Sequence, residues 1–296
     1  MQYNPKLVRV LDNLSSGFYE NISKYLSYSN FQFINGDIRD LDICQSAMLG
    51  IDFVSHQAAL GSVSRSISNP ILTHDVNANG FLNVITAAKE AKVKGFVYAS
   101  SSSVYGDSLD LPKQENKIGK PLSPYAVSKL TNELYASSFS KVYKFYSVGL
   151  RYFNVFGPRQ NPNSQYSAVI PLFMKAALLN EAPFIFGDGQ QSRDFTYIDN
   201  VVNANILSLI YCSKLTNARV YNVAMGETTS LIKLWDLISG LAGSNLKPTF
   251  KEARIGDVRD SLADISLAKT EIGYTPGMEL LSALESTLIW YRKNIH

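Results

Sequence analysis

Apolar residues in the first half of this chain fall in short blocks separated by longer amphipathic stretches. Leu7-Val8-Arg9-Val10-Leu11, Phe31-Gln32-Phe33-Ile34, Ile51-Asp52-Phe53-Val54-Ser55-His56, Gly95-Phe96-Val97-Tyr98-Ala99 and Tyr146-Ser147-Val148-Gly149-Leu150-Arg151 each read as a strand. Between them, residues 40–48, 77–91 and 125–142 carry helical spacing; in the second, Phe81, Val84, Ile85 and Ala88 share one face. Strands alternating with helices predict an α/β fold with a doubly wound parallel sheet. The strands end in polar residues: Asp12-Asn13, Asn35-Gly36-Asp37-Ile38, Gln57-Ala58-Ala59 and the serine run Ser100-Ser101-Ser102-Ser103. Side chains at such ends sit where open parallel sheets bind ligands, and an acidic residue there suits a ribose diol.

After Asn154 the pattern becomes shorter and more broken. Gly157-Pro158-Arg159-Gln160-Asn161-Pro162-Asn163 and Gly187-Asp188-Gly189-Gln190-Gln191-Ser192-Arg193-Asp194 are loop chemistry. Helices are expected near 170–179, 199–211, 230–241 and 280–294, with strands at 184–186 and 220–223. The expected division is a sheet domain over residues 1–155. A smaller lobe, interleaved with the sheet, spans 156–296. No repeat, low-complexity tract or flexible linker interrupts the chain.

Composition narrows the function classes. The 296 residues are 46% apolar and 18% charged, with a net charge of +3 and no basic block, which argues against nucleic-acid or polybasic membrane binding. Two cysteines, Cys44 and Cys212, are too few for a disulfide framework or zinc site and fit a reducing cytosol. His56, His74 and His296 share no metal-ligand spacing, so no metal is expected. No apolar run is long enough to span a bilayer, and the polar start lacks a signal-peptide core.

Chemistry concentrates at Ser123-Pro124-Tyr125-Ala126-Val127-Ser128-Lys129. Tyr125 and Lys129, four apart, share a helix face. A tyrosine titrates near pH 10, and an adjacent ammonium favours the phenolate, bringing it toward the working range of a base. With hydroxyls at the end of the 95–99 strand, the three residue types form a proton-transfer unit for a substrate hydroxyl. A bare Tyr-x-x-x-Lys arises in many helices by chance; the preceding strand, the serine run and the interval of about twenty residues favour the catalytic reading.

In their order and spacing these motifs, with Arg151-Tyr152-Phe153-Asn154-Val155-Phe156-Gly157 and Gly256-Asp257-Val258-Arg259, are specific. From about Val8 onward the chain resembles the extended short-chain dehydrogenase/reductases. Within them it is similar to nucleotide-sugar 4-epimerases, and most to bacterial UDP-N-acetylglucosamine 4-epimerases of surface-polysaccharide pathways. The resemblance implies a tightly held NAD, a cytoplasmic homodimer joined through the helices at 77–91 and 125–142, and a UDP-sugar substrate. Tyr125 would take the 4-hydroxyl proton, Lys129 would hold the nicotinamide ribose, and Ser101 or Ser102 would bond O4. NAD contacts are implied at Asp12, Asn13, Asp37, Ile38, Gln57, Ala58, Ala59, Asn77, Tyr125, Lys129 and Tyr152. Substrate contacts are implied at Ser103, Asn154, Gln160, Arg193, Arg254 and Ser261. A surface salt bridge with Asp194 is the alternative for Arg193, a solvated face for Arg254, and a plain turn residue for Asp12. Ser261 would lie beside the sugar's C2 substituent, leaving room for an N-acetyl group.

One family feature is not met. The resemblance implies a strand, a Gly-x-x-Gly-x-x-Gly turn and a helix ahead of Val8, and the sequence from Met1 shows none of them. The chain reads either as a truncated rendering of a complete enzyme or as an impaired one. The polypeptide starting at Met1 is expected to bind NAD weakly and fold poorly, because two parallel strands lose their common neighbour.

Rival activities separate on residues. A 4,6-dehydratase needs an extra acid/base pair near the serine run, where no carboxylate stands. A uronic-acid epimerase would need a cationic or hydroxyl-rich pocket, which Ser62, Ser64 and Arg65 offer. A non-catalytic nucleotide-sugar-binding remnant is the remaining alternative.

Overall fold

A computed structural model describes residues 3–163, 167–252 and 259–294. Chain order is β1 (Val8–Asp12), α1 (Glu20–Ser23), β2 (Phe31–Asn35), α2 (Leu41–Met48), β3 (Phe53–His56), α3 (Val63–Ser68), α4 (Pro70–His74), α5 (Gly80–Glu90) and β4 (Gly95–Ser101). There follow α6 (Pro124–Tyr143), β5 (Val148–Tyr152), β6 (Val155–Phe156), α7 (Val169–Leu178), β7 (Phe184–Phe186), β8 (Ser192–Arg193), β9 (Thr196–Tyr197) and α8 (Ile198–Tyr211). The chain ends with β10 (Arg219–Val223), β11 (Thr229–Ser230), α9 (Leu231–Ala242), β12 (Thr249–Lys251), α10 (Ser266–Ile272) and α11 (Leu280–Asn294). Among the described residues no helix is long and apolar enough to cross a membrane.

Two compact units share this chain. The first comprises Met1–Ser100, Ser123–Gly149 and Leu209–Arg219; the second comprises Ser101–Leu122, Leu150–Ser208 and Val220–His296.

In the first unit the alternation of strand and helix is as the sequence predicts, and the α/β class with parallel strands holds. β1 pairs in parallel with β2 from Val8↔Phe31 to Asp12↔Asn35, and β3 pairs in parallel with β4 from Phe53↔Gly95 to His56↔Tyr98. Within this unit β1 and β2 are neighbours in one sheet, and β3 and β4 in another. Among the described residues β1 and β3 are thus each paired on one side only, and the sheet is interrupted between them. Instead, side chains fasten β1: Arg9 Nη1 donates to the Ala47 and Leu49 carbonyls at 2.9 and 2.7 Å. Leu11 packs against the core of Ile38, Phe81, Val84, Ile85, Phe96, Tyr98 and Phe139, which also takes Val54 of β3.

Burial explains the strongest elements. All seven residues of β4 are buried, the run Gly95–Ala99 that reads as a buried strand and the two serines that end it. Helix α2 begins where the Asp40 side chain accepts from Ile43 N at 3.1 Å, and α6 where Ser123 Oγ accepts from Ala126 N at 3.1 Å, with Pro124 in the first turn. Helix α5 starts later than the spacing suggests. A π-helical turn over Asp75–Asn79 precedes it, because the Asn77 side chain is drawn out of helical register toward Leu60 and Ser128. Gly80 then lets α5 approach Ile38, whose Cδ1 would lie 2.5 Å from an added Cβ. Helices α3 and α4 occupy a stretch to which the sequence pattern assigns no element; Ser62 and Asn69 cap them, and Pro70 opens α4.

In the second unit helices α7, α9 and α11 enclose Phe173, Trp235, Ile238, Leu284 and Tyr291. The Phe173 and Trp235 rings meet nearly edge-on at 79°, and the indole donates to the Leu246 carbonyl at 2.8 Å. Short strand pairs tie its loops together: β6 with β9 and β7 with β12 in parallel, β8 with β11 antiparallel.

Candidate active site

In the first unit the chemistry gathers on α6 and the end of β4. The cap at Ser123 fixes the helix start, so Tyr125 stands in the first turn and Lys129 one turn later, its Nζ 5.9 Å from the Tyr125 ring centre. Lys129 is only 3% exposed, and its ammonium donates to the Ala99 carbonyl at 2.9 Å. Burial pushes its pKa down to about 8, so it remains largely charged at neutral pH. One further turn along, Glu133 accepts from Ser100 Oγ at 2.5 Å, with both side chains buried. Two successive β4 residues, Ala99 and Ser100, are therefore held by the two oppositely charged residues Lys129 and Glu133. His56, buried beside the Phe81 ring, is pushed down to about 3 by burial and then by the Lys129 charge, so it stays neutral.

Asn77 is buried and fully used. Its Oδ1 accepts from Leu60 N at 2.7 Å, and its Nδ2 donates to the Leu60 carbonyl and to Ser128 Oγ. Its side chain therefore locks the segment after β3 to α6, on the helical turn that carries Lys129. That segment includes Ala58 and Ala59, both half-buried, and Gln57, whose Nε2 donates to Ser55 Oγ.

At the end of β1, Asp12 Oδ1 accepts from Leu14 N at 2.7 Å, and Asn13 Nδ2 donates to Asp37 Oδ2 at 2.9 Å. Arg39 grips Asp37 through Nε at 3.0 Å, Nη2 at 2.8 Å and its backbone N at 2.9 Å. With Asn13, four donors fill the acceptor positions of Asp37. The Arg39 guanidinium holds this carboxyl well below the usual range. The Ile38 carbonyl accepts from Asn83 Nδ2 and Cys44 Sγ.

The second unit carries the serine run from Ser101 onward. Ser101 Oγ accepts from Ser103 N and Ser103 Oγ at 3.1 and 3.0 Å; Ser102 and Ser103 are half-buried in a single 3₁₀ turn, Ser102–Tyr105. Tyr105, pushed up to about 12 by burial, donates to Asn222 Oδ1, while the Arg151 guanidinium lies 4.8 Å from its ring centre. Tyr152 Oη accepts from Asn205 Nδ2 at 2.9 Å.

A cavity of about 260 Å³ opens in this unit between Asn154, Arg193, Phe184, Phe186, Phe195 and Leu231. Asn154 adopts a left-handed backbone (φ 32°) and donates from Nδ2 to the Asp194 carbonyl at 3.1 Å. Arg193 Nη1 donates to the Ser192 and Arg259 carbonyls. Ser261, half-buried, is held by its backbone N on the Ser192 carbonyl at 3.2 Å. Gln160 faces its own loop: its amide bonds Gly157 N and the Val155 carbonyl. Arg254 lies outside the described residues.

Two buried carboxylates, Glu133 and Asp194, have no role in the sequence reading. For Glu133 a signal exists: it stands one helical turn beyond Lys129 on the same face. Asp194 enters that reading only as a surface partner of Arg193, whereas its side chain is fully buried and accepts from backbone N–H groups.

Comparison with known proteins places this geometry. Over 97% of this chain and 91% of the other, it is 38% identical to the UDP-N-acetylglucosamine 4-epimerase of Methanobrevibacter ruminantium, solved with UDP-N-acetylmuramic acid (TM-score 0.91). It is 32% identical to the UDP-glucose 4-epimerase of Thermotoga maritima, solved with UDP-glucose, over all of this chain and 94% of that one (TM-score 0.92). The UDP-glucuronic acid 4-epimerase of Bacillus cereus, solved with UDP-glucuronic acid and NAD, is 30% identical over 97% of this chain and 91% of that one (TM-score 0.89). Residues 1–224 match the model of one family, and by that match the chain belongs to the NAD dependent epimerase/dehydratase family.

Proposed function

We propose that this chain is a UDP-hexose 4-epimerase whose substrates are UDP-N-acetylglucosamine and UDP-N-acetylgalactosamine. The observation that carries the reading is the buried, charged Lys129 one turn from Tyr125, anchored to the end of β4. Tyr125 takes the proton of the sugar 4-hydroxyl, and the Lys129 ammonium favours the phenolate that does so. Ser101 and Ser102 bond O4, with Ser103 beside them. NAD, when bound, would supply a reversible hydride acceptor for C4, and Tyr125 would give its proton back to O4 as the hydride returns to the opposite face of the sugar.

The residues present fit the two ribose ends of that cofactor. Asp12 uses only Oδ1 in the bond to Leu14, and Lys129 uses one of three N–H groups on Ala99, leaving an acceptor and donors for diol hydroxyls. Because Asp37 is saturated by Arg39 and Asn13, the backbone of Asp37–Ile38 meets the adenine. Gln57, Ala58 and Ala59 line the diphosphate side, Tyr152 the nicotinamide side, and Asn77 acts on cofactor binding by fixing its neighbours.

The cavity supports the nucleotide assignment. Phe184 and Phe186 offer aromatic surface for a base, and the Arg193 fork suits diphosphate oxygens, as does Arg254. Asn154 and Gln160 complete the UDP and sugar contacts, and the short Ser261 side chain leaves room for an N-acetyl group. Residues 1–155 serve the cofactor and 156–296 mainly the substrate. A UDP-uronic acid is the second reading, supported by Arg65 and the hydroxyls of Ser62 and Ser64, and by the likeness to the Bacillus cereus enzyme. The outward face of α6, with Val127, Leu134 and Val142 exposed, suits a second copy of this chain.

The test is to purify the chain, denature a portion and quantify released NAD. The remainder is incubated with UDP-N-acetylglucosamine and, separately, UDP-glucuronic acid. Appearance of UDP-N-acetylgalactosamine supports the first reading. Turnover of the uronic acid alone replaces it with the second, and stoichiometric NAD with no turnover of either sugar refutes both.

A further inference from the structure

Asp194 lies next to Arg193, fully buried, and faces backbone amides. Its Oδ1 accepts from Met225 N at 2.8 Å; its Oδ2 accepts from Gly226 N at 3.0 Å and Ala263 N at 3.3 Å. Two successive N–H groups, with Gly226 at φ 79°, form a concavity of the kind that binds anions, and here the protein's own carboxylate fills it. The backbone carbonyl of the same residue accepts from Asn154 Nδ2. Ser192, two residues earlier, bonds the 259–261 segment three times: Oγ to Asp260 Oδ1 at 2.6 Å, N to the Arg259 carbonyl, and its own carbonyl from Ser261 N. One buried carboxylate thus joins the strand bearing Arg193 to the turn at 225–226 and to the segment bearing Ser261, while its carbonyl holds Asn154.

We infer that Asp194 is a positioning residue that sets the spacing of Arg193, Asn154 and Ser261, and through them the affinity of the second unit for a uridine diphosphate group. The inference rests on the proposed UDP-sugar reading. Nothing in it assigns Asp194 a proton-transfer step, and its carboxylate has no open path to a substrate. Burial raises its pKa to about 6, while the backbone N–H donors of Met225, Ala263 and Gly226 act in the opposite direction by favouring the carboxylate.

Calorimetric titration of UDP into the intact chain tests it, comparing wild type with Asp194→Asn. The amide keeps the shape but turns donors toward the amides of 225, 226 and 263. The dissociation constant for UDP should rise about tenfold with the stoichiometry of binding unchanged. A merely structural role would instead reduce the binding-competent fraction and leave the dissociation constant of the remainder unaltered, and that result overturns the inference. If Asp194→Asn does not fold, Gly226→Ala shifts one donor by straining its left-handed backbone without altering charge or any cavity residue. A weakened UDP affinity at full stoichiometry is again the supporting result, and an affinity within twofold of wild type overturns it. Failure of wild type to bind UDP would instead remove the UDP-sugar reading itself.

Discussion

Replacing Lys129 by Met should stabilise the fold while abolishing turnover. Held at 3% exposure, the ammonium has its pKa lowered from 10.5 to about 8 by burial. At about 1.4 kcal/mol per pH unit, keeping it charged in the folded state costs about 3 kcal/mol. The variant removes that cost but leaves the Ala99 carbonyl without this donor, a loss of about 1–2 kcal/mol. A net gain of about 1–2 kcal/mol at pH 7 follows. The sign with pH is fixed by linkage: the unfolded lysine keeps its proton up to its ordinary value, whereas the folded one loses it from about 8. Wild type should therefore gain stability as pH rises from 8 toward 10.5, and the advantage of Lys129→Met should disappear over that window. Urea unfolding of both proteins at pH 7 and pH 10 measures this directly. A variant less stable than wild type at pH 7, or a difference that is the same at both pH values, would refute the reasoning.

Other expectations concern neighbouring features. Ser100→Ala and Glu133→Gln, combined in a double-mutant cycle, should show a coupling of about 1.5–3 kcal/mol, as for a buried hydrogen bond to a charged group; a coupling below about 0.5 kcal/mol would mean that the 2.5 Å contact contributes little. Gly80→Ala should destabilise by about 1–3 kcal/mol in chemical denaturation, since the new methyl meets Ile38 Cδ1 at 2.5 Å in a filled core. Ser261→Tyr should slow turnover of the N-acetylated sugar more than that of the plain hexose, read as a ratio of kcat/KM values; the opposite ratio would remove Ser261 from the sugar pocket.

The sequence made β4 and α6 legible because each obeys a local rule. β4 opens with the apolar run Gly95–Ala99, and α6 announces itself by Ser123, Pro124 and a Tyr/Lys pair at helical spacing. Helices α3 and α4 are hard to read because hydroxyl-rich 62–70 offers only Val63 and Ile67, both exposed, as apolar positions, although the caps at Ser62 and Asn69 and the proline at 70 are readable signals. The start of α5 was misjudged because a non-local pull on Asn77 decides it. Asp37 illustrates the same limit: its position after a strand is visible in the sequence, but its saturation by Arg39 and Asn13 depends on a loop geometry that spacing does not specify. Glu133 and Asp194 matter through the backbone and hydroxyl groups that meet them, and those partners lie between 31 and 69 residues away in the chain.

The interruption of the sheet between β1 and β3 has a consequence for how the first unit opens. Among the described residues backbone bonds bind β1 to β2 and β3 to β4, while the Arg9 side chain ties β1 to the end of α2 and both pairs touch the helix core. Side-chain fastening is weaker and less cooperative than a shared ladder, so the β1–β2 ribbon forms its own unit of local unfolding. Its amides should exchange with solvent deuterium through partial openings that leave β4, fully buried, protected to the level of global unfolding. Asp12 and Asn13 ride on that ribbon. Any ligand that grips them would therefore draw part of its binding energy into closing the ribbon, and would appear in exchange data as protection spreading along β1 and β2.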